Sequence, residues 1–527
     1  MSTLPGADRP RDGAGEPDSG GTAGLHALLD GLPFGDDDIV VAAQSGDLSL
    51  GELRSRAASL AVSLREAGVR PGQLVGNLVH PGPSSLVVMF ATWAADAVYL
   101  PINARLTTAE ISAWITETPV ALVIGSAADL AASGLAGGAV EYDHASAAAL
   151  IRVPADAAAA AYDGDVALML RTSGTTGRPK AVLLRHSGTL EALDASIRKL
   201  RGPAPGAPRA RRFNLIPVSL ALWAGVFNTL FAFRAGFAVV LLDTFTPAGF
   251  AAAVAKYALR SVVLAPAMIA MVSDAEDVTD LGPLRLVRSI TAPLSPEVAR
   301  RFHQRFGVFV LNSYGQTELG GEVVGWTAAD VREFGERKLG AAGRAYDGID
   351  LQVRGEDGRT RPAGEPGEIY VRSPFRMHGY AVAGGATGPG EEAGEDRCVD
   401  GYLRTGDVGR VDHDGFLWVQ GRVSDMINRG GLKIHPDEVE EALREHPRVS
   451  DAGVAGVPDR RLGEVPHAWV VTAGDVAAAE LEAWCRERVA PYKVPVAFTR
   501  VPVLPRSDIG KLLRRDLVRG LAPGAGG

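Results

Sequence analysis

Cysteine is almost missing from this chain of 527 residues: Cys398 and Cys485 are the only two, so no disulfide framework can hold the fold, and no Cys/His cluster gives a structural zinc pattern. A reducing interior is the compartment this implies. Positive charge is not in excess either. Lys and Arg number 54 against 62 Asp and Glu, the net charge is −8, and no broad basic stripe occurs, which argues against nucleic acid as a primary partner. Long apolar runs are also lacking. The best candidate, residues 222–242, is broken by Asn228, Arg234 and glycines, so no membrane span is expected. Residues 1–21 carry charges and glycines where a signal peptide needs an apolar core. Residues 1–25 read as a disordered leader, 521–527 as a flexible tail, and the cytoplasm as the location.

What is present is an ordinary globular composition, 46% hydrophobic and 22% charged, long enough for about three or four folding units. From about residue 50, helix-periodic segments such as 51–68 alternate with β-rich runs at 73–79, 97–100 and 120–124. The same grammar returns at 236–311, which predicts layered α/β subdomains with mostly parallel strands. Between 341 and 421 it gives way to short strands with closely spaced Gly and Pro, suited to a small antiparallel element. The Gly-rich acidic run 381–396 has no period and reads as a surface loop. After residue 425 a compact α+β unit follows. The predicted division is a large domain at 26–421, a short connector at 422–425 and a small domain at 426–520.

The densest chemical signal is RTSGTTGRPK at 171–180, directly after the apolar run 166–170. A strand running into glycines and hydroxyls offers backbone N–H groups to polyphosphate oxygens, and Lys180 adds a positive charge. It is not a Walker A loop, because the GK[ST] ending is absent. NSYGQTE at 312–318 offers a flat face in Tyr314, a hydroxyl in Thr317 and a hard oxygen ligand in Glu318. GYLRTGD at 401–407 and GRVSD at 421–425 place a carboxylate, Asp407, 15 residues before Arg422, a pair suited to a ribose. LPRSDIGK ends on Lys511, and INRGGLK at 427–433 carries Gly430, Gly431 and Lys433.

In this order these strings resemble the motifs of adenylate-forming enzymes: the acyl-CoA synthetases, coumarate-CoA-ligase-like enzymes, luciferases and peptide-synthetase adenylation domains. The resemblance spans about residues 50–517 and implies a large α/β domain at 26–421 that binds the acid and ATP, a hinge at 422–425 and a mobile α+β lid at 426–520. It implies ATP, Mg2+ and coenzyme A or a carrier-protein phosphopantetheine as ligands. It gives Thr172, Ser173, Gly174, Thr175, Thr176, Gly177 and Lys180 to the phosphates, Tyr314 and Gly315 to adenine, and Thr317 to the α-phosphate. Glu318 goes to the metal, Asp407 and Arg422 to the ribose, and Lys511 to the adenylation step. Gly430, Gly431 and Lys433 belong to the segment that turns inward for the thiol step, and the hinge falls on Ser424, where most members carry Asp or Lys.

The acid pocket departs from the family's habits. Leu220 stands near the usual His, and ITAPL replaces GGAPL, putting Ile290 and Thr291 where small glycines are common. With Ser219, Trp223, Gly225, Gly320 and Gly321, these residues predict a mostly apolar acid, aromatic or of medium length. Malonate-activating members place Arg before the Tyr of YGxTE, whereas Ser313 stands here, so a dicarboxylate is disfavoured. The leading expectation is an acid–CoA ligase, monomeric or dimeric. Two alternatives keep the adenylation chemistry: a stand-alone enzyme loading a carrier protein, and one adenylating a small oxyanion such as nitrite for nitrogen–nitrogen bond formation. A non-catalytic nucleotide-binding scaffold has little need for Lys180, Glu318, Asp407, Arg422 and Lys511 together.

Overall fold

The computed structural model describes residues 24–118, 120–132, 139–141, 161–172, 180–201, 212–292, 294–381, 397–506 and 511–520. Most of the leader, Ser173–Gly177 of the phosphate motif, the 382–396 run and the tail lie outside them.

The first sheet has seven strands, in the order Gly379–Tyr380, Lys180–Arg185, Val166–Thr172, Val98–Asn103, Leu74–Val79, Val120–Gly125 and Ala139–Glu141. All six residues of Leu74–Val79 are buried, as expected for a central strand covered on both faces. Helix Leu50–Glu66 starts from a Ser49/Glu52 capping box and lays Leu53, Leu60 and Leu64 on this core. Helix Ser84–Ala94 is apolar all round and correspondingly buried between layers.

As expected, most pairings in this sheet are parallel, those of Val166–Thr172, Val98–Asn103, Leu74–Val79, Val120–Gly125 and Ala139–Glu141. Strand Lys180–Arg185 pairs antiparallel with Val166–Thr172, and Gly379–Tyr380 pairs antiparallel with Lys180–Arg185, so the sheet is mixed. The cause is length: seven residues join the first pair, enough for a hairpin and too few for the crossover a parallel pair needs. Lys180 therefore begins a strand, directly opposite Thr172.

A second α/β layer holds parallel strands Phe213–Ile216, Ala238–Leu241 and Ile39–Ala42. Its neighbour is a parallel sheet of Ser261–Leu264, Leu286–Ser289 and Phe309–Asn312. The short antiparallel pair Tyr314–Gln316 and Gly321–Gly325 follows at once. The region from 341 to 421 forms the expected antiparallel element, with Tyr402–Val411 between Gly367–Arg372 and Leu417–Arg422. From Arg422 a single turn, Val423–Asp425, leads into the last sheet. That sheet pairs Val449–Asp459 with Gly463–Thr472 and packs helices Pro436–Arg444 and Ala478–Arg486 around its own apolar cluster, Ile427, Val439, Leu443 and Leu481 among it. Among the described residues no helix is long and apolar enough to cross a membrane.

Candidate active site

Asp407 and Glu318 are 5% and 9% exposed, and carboxylates are rarely so buried without partners. Asp407 sits opposite Arg422 in the strand register, and Arg422 Nε lies 3.1 Å from its Oδ1. The other oxygen accepts from the Tyr314 hydroxyl at 2.9 Å and from Gln316 Nε2 at 2.5 Å. Burial, with Asp407 alongside, drives the Tyr314 phenol well above its ordinary range, so it stays a donor. Strand Tyr314–Gln316 supplies two of these groups because residues two apart share a face.

Glu318 belongs to a second cluster that sequence reasoning only half found. Its Oε1 accepts from the Tyr380 hydroxyl at 3.1 Å and faces Arg397 Nη1 at 3.5 Å. Arg397 also donates to the Tyr380 oxygen at 2.9 Å and to the Thr405 carbonyl at 2.8 Å. Lys180 Nζ stands 4.9 Å from the centroid of the Tyr380 ring, within cation–π range. Burial first, then the Glu318 charge, raises the Tyr380 phenol, while Arg397 opposes them. Neither Tyr380 nor Arg397 carries a motif signature; what could have flagged Arg397 is an isolated cation ten residues before Asp407 in a polar stretch.

Lys511 completes the arrangement from the other domain. It is partly buried, and burial, with Arg422 as the next cause, lowers its ammonium pKa below the usual lysine range; Asp425 and Asp407 pull the other way. The segment that carries it is anchored by Arg514, which pairs with Asp437 at 2.9 Å and Glu440 at 3.0 Å. Contacts thus run from Lys180 through Tyr380, Glu318, Arg397 and Thr405 to Asp407 and Arg422, with Lys511 in the field of the last two. Cations of two domains and buried carboxylates enclose one polar site, an arrangement suited to a nucleotide polyphosphate.

Gly430, Gly431 and Lys433 are not part of this gathering. Gly430 N–H donates to the Leu462 carbonyl, Gly431 N–H to Asn428 Oδ1, and Lys433 pairs with Glu356 of the large domain. They sit at a hairpin tip of the small domain, so an orientation that presents Lys511 leaves them elsewhere. Ser424 donates to its neighbour Asp425.

Of the residues assigned to the acid, Trp223 and Gly225 belong to helix Trp223–Arg234, Ser219 and Leu220 precede it, and Gly321 touches it through Phe227. Leu220 and Trp223 are buried, Trp223 meets Phe227 edge-on at 5.4 Å, and the indole Nε1 has no partner among the described residues. Gly321 lies so close to Phe227 that a Cβ would stand 2.9 Å from its ring. Thr317 opens a short turn before Gly320, and Gly315 faces Glu322 across the strand pair. Ile290 is buried, whereas Thr291 is exposed with φ +75°, and Ser219 and Gly225 touch at the head of the helix.

Mg2+ binds through one or two carboxylates plus substrate phosphates rather than an all-protein cage. The chain fits that pattern: Glu318 is a buried single carboxylate, and no group of three His, Cys, Asp or Glu that could hold a metal occurs among the described residues.

Residues 33–381 match the family described as AMP-binding enzyme, and residues 438–511 match the AMP-binding enzyme C-terminal domain. A feruloyl-CoA synthase from Amycolatopsis sp is 34% identical over 488 residues, 90% of this chain and 94% of that protein. ATP-bound MatB from Rhodopseudomonas palustris has a TM-score of 0.80 at 25% identity, covering 94% of this chain and 98% of that one. The amide bond synthetase McbA from Marinactinospora thermotolerans also has a TM-score of 0.80, at 27% identity, covering 94% and 99%.

Proposed function

Because this chain belongs to the AMP-binding family of adenylate-forming acyl-CoA synthetases, we propose that it activates an aromatic or medium-chain carboxylic acid with ATP and passes the acyl group to coenzyme A. The family's chemistry is acyl-adenylate and acyl-CoA formation by an ATP-dependent acid–thiol ligase. In the first step a carboxylate oxygen bonds to the α-phosphorus as the bond to pyrophosphate breaks. In the second, a thiol sulfur bonds to the acyl carbon, AMP leaves, and the thiol proton passes to solvent.

The residues divide this work. Asp407 accepts the ribose hydroxyls while Arg422 holds it in place, and the Tyr314 ring meets adenine. Thr317 donates to the α-phosphate, and Lys180 and Arg397 face the phosphate chain beside Glu318. Mg2+ supplies charge neutralisation on the phosphates, with Glu318 its protein ligand. Lys511 bridges the acid's carboxylate and the α-phosphate as charge builds, its ammonium preorganised rather than recruited from water. Thr172 and the residues after it hold the β- and γ-phosphates. Gly430, Gly431 and Lys433 act after the lid turns, where the glycines admit a pantetheine arm.

The observation that carries the reading is the buried Asp407 carboxylate, paired with Arg422 at 3.1 Å and bonded by Tyr314 and Gln316, with Lys511 of the second domain partly buried in the field of that pair. The buried Trp223–Phe227 wall supports an acid with an apolar body, as does the feruloyl-CoA synthase relative. The test is a panel of acids with ATP and CoA, scored by pyrophosphate release and by mass analysis of the thiol product. AMP with an acyl-CoA is expected; AMP with no CoA thioester from any acid refutes CoA as the acceptor.

A further inference from the structure

One cluster of buried charges takes no part in the chemistry above. Arg288 Nη1 and Glu322 Oε2 pair at 2.8 Å, with side chains 14% and 13% exposed. Glu322 also accepts from the Tyr346 hydroxyl at 2.9 Å and from the Ser313 hydroxyl at 3.1 Å. Burial, then the Glu322 charge, pushes the Tyr346 phenol well above its ordinary range, so it remains a donor. These four side chains, with Asn312 and Trp326, line a cavity of about 100 Å³. A single water needs only ~15 Å³. Asn312 donates to the Leu294 and Gly340 carbonyls, yet its Oδ1 is buried with no partner among the described residues.

Position ties the cavity to the acid. Arg288 stands over the Phe231 ring, 5.8 Å from its centroid, one helical turn from Phe227, whose ring abuts Gly321. Ile290 and Gly321 are placed at the acid by the family resemblance, and Tyr314 at the nucleotide. A buried ion pair is a poor device for stability, because desolvation offsets the attraction and apolar residues of similar volume serve as well. Beside a cavity, it is a good device for reading a polar group.

We propose that Arg288 and Glu322 select an acid that carries a neutral hydrogen-bonding substituent, a hydroxyl or amino group, at the end remote from its carboxylate. This rests on the acid-activating reading above and names the substrate class within it. The pair carries no net charge, so a second carboxylate meets Glu322 and a cation meets Arg288. A hydroxyl donates to Glu322 and accepts from Arg288; an amino group donates to Glu322. A methyl group of the same size makes neither bond and displaces any water that could, and sites built to hydrogen-bond a substrate group reject the analogue lacking it by about 10⁴-fold or more.

The test uses one aryl acid scaffold with a hydroxyl, amino, methyl or carboxyl group at the far position, scored by pyrophosphate release. The wild-type protein is expected to favour the hydroxyl or amino acid over the methyl acid by about 30-fold or more in kcat/KM, mostly through KM. The double substitution Arg288→Met with Glu322→Leu is expected to reverse that order while adenylation of the methyl acid continues. Should the double variant fail to fold, Glu322→Gln is expected to cut the preference at least about tenfold. A wild-type preference for the methyl or carboxyl acid overturns the proposal, as does an unchanged ranking in the folded variants. Pyrophosphate from the methyl acid with none from its polar partners overturns the specificity alone, whereas no pyrophosphate from any acid overturns the activation reading with it.

Discussion

Asp407 and Arg422 face each other across an antiparallel strand pair, Oδ1 to Nε at 3.1 Å, so the two groups proposed for the ribose are already joined to one another. Tyr314 and Gln316 supply the other oxygen of the same carboxylate. A side chain held from three directions presents one geometry to its ligand.

Asp407→Ala is therefore expected to raise the KM for ATP by about tenfold to a hundredfold, the worth of a charge-assisted hydrogen bond of about 1.5–3 kcal/mol. Pyrophosphate exchange at varied ATP measures it. An unchanged KM removes Asp407 from the nucleotide.

Lys511→Ala is expected to slow pyrophosphate formation by about 10²-fold to 10³-fold, as when a preorganised donor to a developing charge is lost. The same variant, given presynthesised acyl-adenylate and CoA, is expected to form thioester at close to the normal rate. Equal loss in both half-reactions argues for a structural defect instead.

The pH profile of adenylation has a predicted sign. Burial and Arg422 lower the Lys511 pKa, and it is the protonated form that bridges the two anions, so activity falls on the alkaline side, earlier than for an ordinary lysine. Lys511→Arg, whose side chain stays charged, is expected to push that limb to higher pH. A limb that does not move assigns it to another group.

Arg397→Leu removes a cation that touches Glu318 and Tyr380 and donates to the Thr405 carbonyl. We expect adenylation to fall about tenfold or more and the dependence on Mg2+ to change, because Glu318 loses its protein counter-charge. Titration of Mg2+ under saturating ATP separates this from simple misfolding, which leaves the metal dependence of the surviving activity as it was.

Glu356→Ala breaks the pair with Lys433 that links the small domain to the large one. Both side chains are substantially exposed, and such pairs contribute about 0.2–1 kcal/mol, so only a roughly twofold to fivefold shift between lid orientations is expected. The ratio of adenylation to thioester rates is the readout. The melting temperature is expected to stay nearly constant.

Much of this was legible along the chain because its motifs are local. Tyr314 and Glu318 lie within five residues, and Lys180 stands eight residues after Thr172, its register partner. The reversal of strand Lys180–Arg185 was legible only in the spacing to Val166–Thr172, too short for a crossover, since a short apolar run has no intrinsic direction of its own. Arg397 and Tyr380 were missed for a related reason. Each stands more than 60 residues from Glu318 and reaches it only once a β-sheet closes. The Arg288–Glu322 pair joins two strands whose charges look like ordinary surface residues when read singly, and only their shared burial sets them apart.

Gly421 bears on how the two halves of the molecule come together. It has φ +140° immediately before Arg422, and any side chain there would run into the Asp437 carboxylate of the small domain. Even a methyl group there must push aside that carboxylate, which pairs with Arg514 on the segment that carries Lys511. A substitution remote from any substrate thereby reaches the lysine segment through one carboxylate and its guanidinium partner.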